Sequence, residues 1–482
     1  NRLRFLREVI GAIRDRIGDR MVLGVRMVCD EDWQRGLVKD DGVAMARLLK
    51  DDGQIDFLSV IRGRAATDEA LSKVIPSMGS RSAPHLEFAG ELRQEVKFPT
   101  FHAARIQDVP TARYAIEAGK LDMVAMTRAH IADPHITRKI MAGQEDRIRP
   151  CVGMGYCIDS IYGGQAACVH NPATGRESVL PHDVPKAAAR KKVVVVGAGP
   201  GGLEAARVAA ERGHDVVVFE AASKAGGQIQ LIAALKRRRE ILGIVDWRVS
   251  ECERLGVRFH FNTWAEASDV LAESPDYVVV ATGGLPSFDL LSHGQDLATS
   301  SWDILSGSVM PGRQVLVIDN NGSHSAMTIA EYLSERADTL EFVTSDRILA
   351  PEIGSTSYPG YLRVLHKAEA TMTMNLRIDR LETRGNKIAA IFTDEFAGVE
   401  RVKEADQVVV DYGTAPLDDL YFALKEGSVN RGEVDIAALL KTRPQTLKVQ
   451  DGSYRLFRIG DAVASRNIHA AILDAYRLMI AA

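Results

Sequence analysis

The residues best placed to do chemistry lie in Val193-Val-Val-Val-Gly197-Ala-Gly199-Pro-Gly-Gly202, with Glu220 and Gly226-Gly227-Gln228 further on. Four β-branched residues run into G-x-G-x-x-G, a helical pattern follows from Leu203 to Arg212, and a second apolar run, Val216 to Phe219, ends in an acid. This order predicts a pyrophosphate cradle. Gly197 serves the tight turn, Gly199 lets the backbone approach phosphate, and Gly202 lets helix and strand pack closely. The helix start faces the phosphates, and Glu220 is positioned for a ribose hydroxyl. A glycine turn in an unrelated α/β unit is the alternative.

Three of the five cysteines cluster as Cys151-x5-Cys157-x10-Cys168, followed by His170. Thiolates at this spacing suit an iron–sulfur cluster. Buried small hydrophobes left from a lost site are the other reading. Cys29 and Cys252 read as packing residues. Five cysteines in 482 residues do not make a disulfide framework and fit a reducing compartment, so a cytoplasmic location is expected.

These groups need a scaffold. Before the cysteines, candidate strands at 22–28, 55–60, 98–103 and 121–126 alternate with helical stretches at 42–49, 86–95 and 109–118, the spacing of parallel β/α units. An open sheet or half of a (β/α)8 barrel would fit. Arg26 lies in the first strand. Arg105 and Arg128 follow the third and fourth, beside Ala104 and Thr127. Phosphate sites in barrels form at the last two β/α loops, which favours the half barrel, with Asp133-Pro134 starting the short phosphate helix. Solvated loop arginines are the alternative. Asn1 to Asp19 reads as an Arg-rich amphipathic helix. A net charge of -4 gives no polyelectrolyte argument for nucleic acid or an anionic membrane. No apolar run reaches the ~18 residues of a membrane span. Two prolines in 178–190 mark a linker.

Leu23-Gly-Val-Arg26, Ala104-Arg105-Ile106, Asp122-Met-Val-Ala-Met-Thr-Arg128, Ala132-Asp133-Pro134 and Ile148-Arg-Pro-Cys151 resemble the second half of the old yellow enzyme barrel. The version resembled is the long trimethylamine dehydrogenase / 2,4-dienoyl-CoA reductase family, and within it bacterial dimethylglycine and N-methylproline demethylases. The resemblance implies an α/β chain with these parts: 1–147, strands five to eight of a TIM barrel holding FMN; 148–177, an iron–sulfur segment; 178–190, a linker; 191–300 and 410–482, a Rossmann-like FAD/ADP domain; and 301–409, a degenerate NAD(P)-type domain. It places Arg26 near the flavin pyrimidine and Arg105 and Arg128, with Ala104 and Thr127, at the FMN phosphate. It implies that the amino-terminal barrel half is absent, so that the chain alone binds FMN poorly and is inactive. In the family four cysteines hold a [4Fe–4S] cluster. Met154 stands at the second position here, which leaves open a cubane with another fourth ligand, a three-iron cluster or none. Ala281-Thr282-Gly283 resembles a second phosphate-side marker, and Gly460-Asp461 the segment that reaches a ribityl or ribose.

In the second α/β unit Asp319-Asn-Asn-Gly322 stands where a related reductase carries G-x-G-x-x-G. Few glycines and a like charge argue against NAD(P)H there. Electrons are then expected to enter from substrate, by oxidation of an N-methyl group, and to leave through FMN and the cluster to an electron-transferring flavoprotein. The chain is expected to act as a homo-oligomer or with an electron-transfer subunit. Arg62, with Arg64, at a strand end suits a substrate carboxylate. His102 is a second candidate for a substrate or flavin contact. Solvated Arg64, Arg62 paired with Asp68 or Glu69, and a core histidine are the alternatives. An NADPH-dependent dienoyl-CoA or enoate reductase, and a non-catalytic electron-transfer scaffold, are the competing functions.

Overall fold

The computed structural model describes residues 3–482. The chain divides into two compact units: residues 1–155 with 355–359, and 156–354 with 360–482. In the first unit the order is α1 (Arg4–Ile17), β1 (Gly24–Asp30), α2 (Lys39–Asp51), β2 (Phe57–Arg62), α3 (Asp68–Val74), α4 (Leu86–Val96), β3 (Thr100–His102), α5 (Val109–Glu117), β4 (Met123–Val124), α6 (Thr127–Ala132) and α7 (Ile136–Met141). The strands form one sheet in sequence order, with every pair parallel. Each short apolar run needs both neighbours to satisfy its backbone, and each crossover helix covers one sheet face. Leu58 and Val60 of the sheet, Ala46 and Leu49 of α2, Ala89 and Leu92 of α4 and Ala115 of α5 share one buried core.

The second unit contains α8 (Tyr156–Tyr162), β5 (Lys192–Val196), α9 (Pro200–Arg212), β6 (Asp215–Phe219), α10 (Gln228–Ile232), α11 (Gly243–Arg254), β7 (Arg258–His260), α12 (Ala267–Ala272) and β8 (Tyr277–Val280). There follow β9 (Gly284–Pro286), β10 (Ala298–Ser300), α13 (Ser301–Ser306), β11 (Gln314–Asp319), α14 (His324–Ser334), β12 (Thr339–Thr344), α15 (Tyr358–Lys367), β13 (Thr371–Thr373), β14 (Arg377–Arg384), β15 (Lys387–Asp394), β16 (Val399–Ala405), β17 (Gln407–Asp411) and β18 (Thr414–Pro416). Last come α16 (Asp419–Lys425), α17 (Ile436–Leu440), β19 (Arg455–Arg458) and α18 (Ile468–Met479). Two five-stranded parallel sheets result, β19-β8-β5-β6-β7 and β10-β17-β11-β12-β13, with an antiparallel β14-β15-β16 sheet and a β9/β18 ribbon.

One local expectation is corrected. The short helix after β4 begins at Thr127, ahead of Asp133, which ends it instead. Burial pushes the Asp133 carboxyl up, yet Lys139 and the amides of Arg149 and His135 outweigh this and hold it below its ordinary range. The segment 178–190 is mostly exposed and is anchored at one point, where Leu180 is buried and the carbonyl of Pro181 accepts the Tyr476 hydroxyl. Among the described residues no helix is long and apolar enough to cross a membrane.

Candidate functional site

The Gly197–Gly202 turn has the shape of a phosphate cradle. Gly197 has φ +102, and a Cβ there would stand 2.3 Å from the carbonyl oxygen of Ala281. At Gly202 a Cβ would meet the Gly197 carbonyl at 1.9 Å, so only glycine lets α9 start this close to β5. A Cβ at Gly199, the N-cap of α9, meets nothing within 4 Å, which leaves open space in front of the helix amides. Glu220 accepts the amides of Ala198 (2.6 Å) and Ala222 (2.8 Å), fixing its carboxylate beside the turn. Gly226 donates to the Ala198 carbonyl, and Gly227 lies against Gly199. The Gln228 amide donates to Asp461 Oδ2 at 3.0 Å, just after Gly460. Thr282 donates to the Leu417 carbonyl ahead of Gly283, which has φ +76. Gly197, Gly199, Gly202, Glu220, Gly227, Gln228 and Asp461 thus lie along one connected rim, with Thr282 and Gly283 adjoining it through Ala281. The residues present fit an adenine dinucleotide.

In the first unit, register decides which candidates share a face. Arg26 pairs with Ser59, Ser59 with Phe101, and Phe101 with Met123, so these four lie on one side of the sheet. Arg26 is exposed there and has no hydrogen-bond or ion-pair partner among the described residues. Phe57 and Phe101 stack on this face at 4.3 Å. At the carboxyl end of β3, Ala104 (φ +77) and Arg105 (φ +59) are both left-handed, a strained pair that turns the loop back. Arg105 donates to the Ser80 carbonyl and to Gln107. After β4, Thr127 opens α6 and Arg128 donates to the Pro76 carbonyl at 2.8 Å. Two oriented guanidiniums at the carboxyl ends of adjacent parallel strands, over a strained loop, fit a phosphomonoester such as that of FMN.

Arg62 and His102 belong elsewhere. His102 pairs in register with Val60, on the helix-facing side. It is 2% exposed and donates from Nδ1 to the Val60 carbonyl at 2.8 Å. Burial pushes its imidazole down to about 4. It is a neutral core histidine. Arg62 leans over the Phe88 ring of α4 and pairs with Asp30 (3.2 Å) and Asp32 (3.0 Å), not with Asp68 or Glu69. Its charge already faces two carboxylates, which removes the attraction a substrate carboxylate would need. Arg64 lies 4.3 Å over the Trp33 ring. The expectation that Arg62 and His102 are catalytic is therefore corrected.

Cys151 belongs to the first unit, Cys157 and Cys168 to the second. Among the described residues no group of three or more His, Cys, Asp or Glu side chains could hold a metal ion. The Cys168 segment is nonetheless firmly held. His469 donates to the Cys168 carbonyl at 2.8 Å, and Arg248 donates to the His170 carbonyl at 2.9 Å and to Glu204 at 2.7 Å. Arg248 and Glu204 are both 0% exposed, and Arg207 binds the same carboxylate. Helical periodicity alone gives no sign of so buried an ion network. Cys29 and Cys252 are buried packing residues, their thiols pushed up to about 12 by burial.

In the second nucleotide unit Asp319 ends β11 and turns its carboxylate into the loop that follows. Oδ1 accepts the amides of Asn321 (2.8 Å) and Gly322 (2.9 Å). Burial pushes its carboxyl up to about 7. Asp411 lies opposite in register on β17 and accepts hydroxyls from Ser301 and Ser325. Reasoning from sequence missed Asp411, although an apolar run ending in an acid, Val408-Val-Val-Asp411, signalled it.

Residues 1–147 match the NADH:flavin oxidoreductase / NADH oxidase family and residues 191–474 the pyridine nucleotide-disulphide oxidoreductase family. A probable N-methylproline demethylase of Rhizobium meliloti is 52% identical over 481 residues, 99% of this chain and 71% of that protein. The chain belongs to the pyridine nucleotide-disulphide oxidoreductase family through its larger part, and its amino-terminal part matches the NADH:flavin oxidoreductase / NADH oxidase family. It is a flavin-dependent oxidoreductase. An N,N-dimethylglycine/sarcosine dehydrogenase of Chromohalobacter salexigens is 42% identical to this oxidoreductase, over 99% of this chain and 71% of that protein. A solved 2-naphthoyl-CoA reductase superposes with a TM-score of 0.84 at 26% identity, covering 99% of this chain and 68% of that one. These matches span nearly all of this chain and about 70% of the length of those relatives.

Proposed function

We propose that this oxidoreductase oxidatively demethylates a small N-methylated amine or amino acid, of the dimethylglycine or N-methylproline type. The observation that carries the reading is the Asp319 carboxylate inside the loop where a pyridine coenzyme would place its phosphates. With that donor excluded, reducing equivalents enter from substrate. The names of the two relatives, a demethylase and a dimethylglycine/sarcosine dehydrogenase, support the same direction.

FMN, when bound, supplies the hydride acceptor. Arg105 and Arg128, with the Ala104 and Thr127 backbone, would hold its phosphate. Arg26, exposed and unneutralised, would face the ring system. The Phe57–Phe101 stack lies on the same face and offers an apolar surface beside it. Loss of a hydride from an N–CH3 group leaves an iminium. Water adds to it, releasing formaldehyde, the secondary amine and a proton. In the second unit Gly197, Gly199, Gly202, Gly227, Thr282, Gly283 and Gly460 would line the phosphates of FAD or ADP, with Glu220 and Asp461 on hydroxyls. The four β/α units read as one side of a (β/α)8 barrel, supported by their sequential parallel order and single helical face. The spacing of Cys151, Cys157 and Cys168 supports an iron–sulfur cluster. An electron-transferring flavoprotein as acceptor, a homo-oligomer or a paired electron-transfer subunit, and a cytoplasmic location complete the proposal.

The test is formaldehyde release from N-methylproline, dimethylglycine or sarcosine by the flavin-loaded chain with an artificial electron acceptor. One formaldehyde per two electrons is expected. Bleaching of the flavin by NADPH, with no formaldehyde from any of the three, overturns the reading and favours a reductase.

A further inference from the structure

The loop Asp319–Ser323 keeps more of an anion cradle than its glycine count suggests. It leaves a buried parallel strand and opens α14, an eleven-residue helix, as Gly197–Gly202 opens α9. Two of its amides, Asn321 and Gly322, converge on Asp319 Oδ1. Asp319 is 1% exposed, and its second oxygen, Oδ2, is buried with no hydrogen-bond partner among the described residues. The charged groups that act on it most strongly are two further acids, Asp411 and Asp346. A carboxylate in this position is costly. A backbone that merely closed a turn would be served better by an apolar residue. In its ionised form, which part of the population holds near pH 7, the side chain offers an anionic acceptor at the focus of two converging amides, as a phosphoryl oxygen does. Outside it, a Cβ at Gly322 would stand 2.9 Å from Pro351 and 3.2 Å from Asp346, so a second acid guards the entrance.

We propose that Asp319 is a specificity-determining residue whose carboxylate fills a latent phosphate cradle and thereby bars pyridine nucleotides from the second nucleotide unit. The inference rests on the outward electron flow proposed above and deepens it. A tethered anion competes with any free one at high effective concentration. Removing it uncovers the Asn321 and Gly322 amides, and the loop then accepts the pyrophosphate of a dinucleotide.

The experiment uses the full chain saturated with FAD, so that the Gly197–Gly202 cradle is filled. Amide hydrogen exchange is followed over residues 319–323 with and without millimolar inorganic pyrophosphate, and NADPH binding is measured by calorimetry. In the parent chain these amides are expected to be protected, with pyrophosphate making no difference. In Asp319→Ala protection is expected to fall and pyrophosphate to restore it, with NADPH binding gained by roughly tenfold or more. Asp319→Asn keeps the shape and an acceptor for both amides while losing the charge, so it serves if the alanine variant does not fold. A smaller gain is expected there, enlarged by adding Asp346→Asn. Folded variants that show neither restored protection nor improved NADPH binding overturn the proposal and leave the demethylase reading standing. Saturable NADPH binding by the parent chain overturns both.

Discussion

Gly202 shows how little freedom a single position has. Its Cβ would lie 1.9 Å from a backbone oxygen that no rotamer change can move. Gly202→Val therefore has to push α9 off β5, and FAD or ADP affinity is expected to fall at least about tenfold, measured by flavin fluorescence titration. Arg62 gives the opposite expectation. Its partners Asp30 and Asp32 are partly exposed, and Arg62→Ala should cost only about 1 kcal/mol in denaturant titration. The ratio of KM for dimethylglycine to KM for an uncarboxylated methylamine should not move. A selective rise in the first would restore Arg62 as a substrate anchor. His102 carries a pH expectation. Its folded imidazole lies at about 4, below its ordinary 6.5, so the unfolded chain takes up the proton first as pH falls. The neutral-histidine contribution is present above pH 6.5 and is lost between about 6.5 and about 4, by on the order of 3 kcal/mol. In thermal unfolding across that window, His102→Gln should show a flatter pH dependence than the parent.

At the scale of elements, the buried ion network joins α9, α11 and the Cys168 segment. Arg248→Met takes one of its cations from Glu204 and cuts the bond to the His170 carbonyl. A loss of about 3 kcal/mol is expected, because breaking one side of a buried pair strands the other charge. Faster hydrogen exchange across residues 168–171 should accompany it. These elements were also the most legible part of the sequence. Strands β1 to β4 fall within about two residues of their apolar runs, because a parallel strand buried on one or both faces must be apolar, and that leaves a direct mark. The cradle of Gly197–Gly202 was legible for a related reason: its chemistry is backbone chemistry, fixed by local conformation. The faces of the strands were not read. Arg62 and His102 were chosen for lying at strand ends, whereas the period of two puts His102 in line with Val60 and away from Arg26. The Asp319 loop was read as hostile to phosphate. Its amides converging on the carboxylate could not be foreseen, since an Asx turn and an empty loop have the same sequence.

At the scale of the molecule, two nucleotide-binding sheets of like topology have diverged in what fills their first turn: open space at Gly199 in one, a side chain at Asp319 in the other. Electrons are accordingly expected to move one way. In stopped-flow spectroscopy of the flavin-loaded chain, dimethylglycine or N-methylproline should bleach the flavin while NADPH at equal concentration leaves it oxidised. Equal bleaching by both would mean that the two turns are functionally alike.

The edge position of β19 also bears on how the chain is made. Its partner β8, with Val278, Val279 and Val280 fully buried in the finished sheet, emerges from the ribosome long before Arg455–Arg458 arrives to cover it. At ordinary elongation rates that interval is roughly 10–30 s, during which a bare apolar strand waits for its neighbour. Nascent chains stalled ahead of Arg455 should therefore be chaperone clients, and release of the last strand should free them.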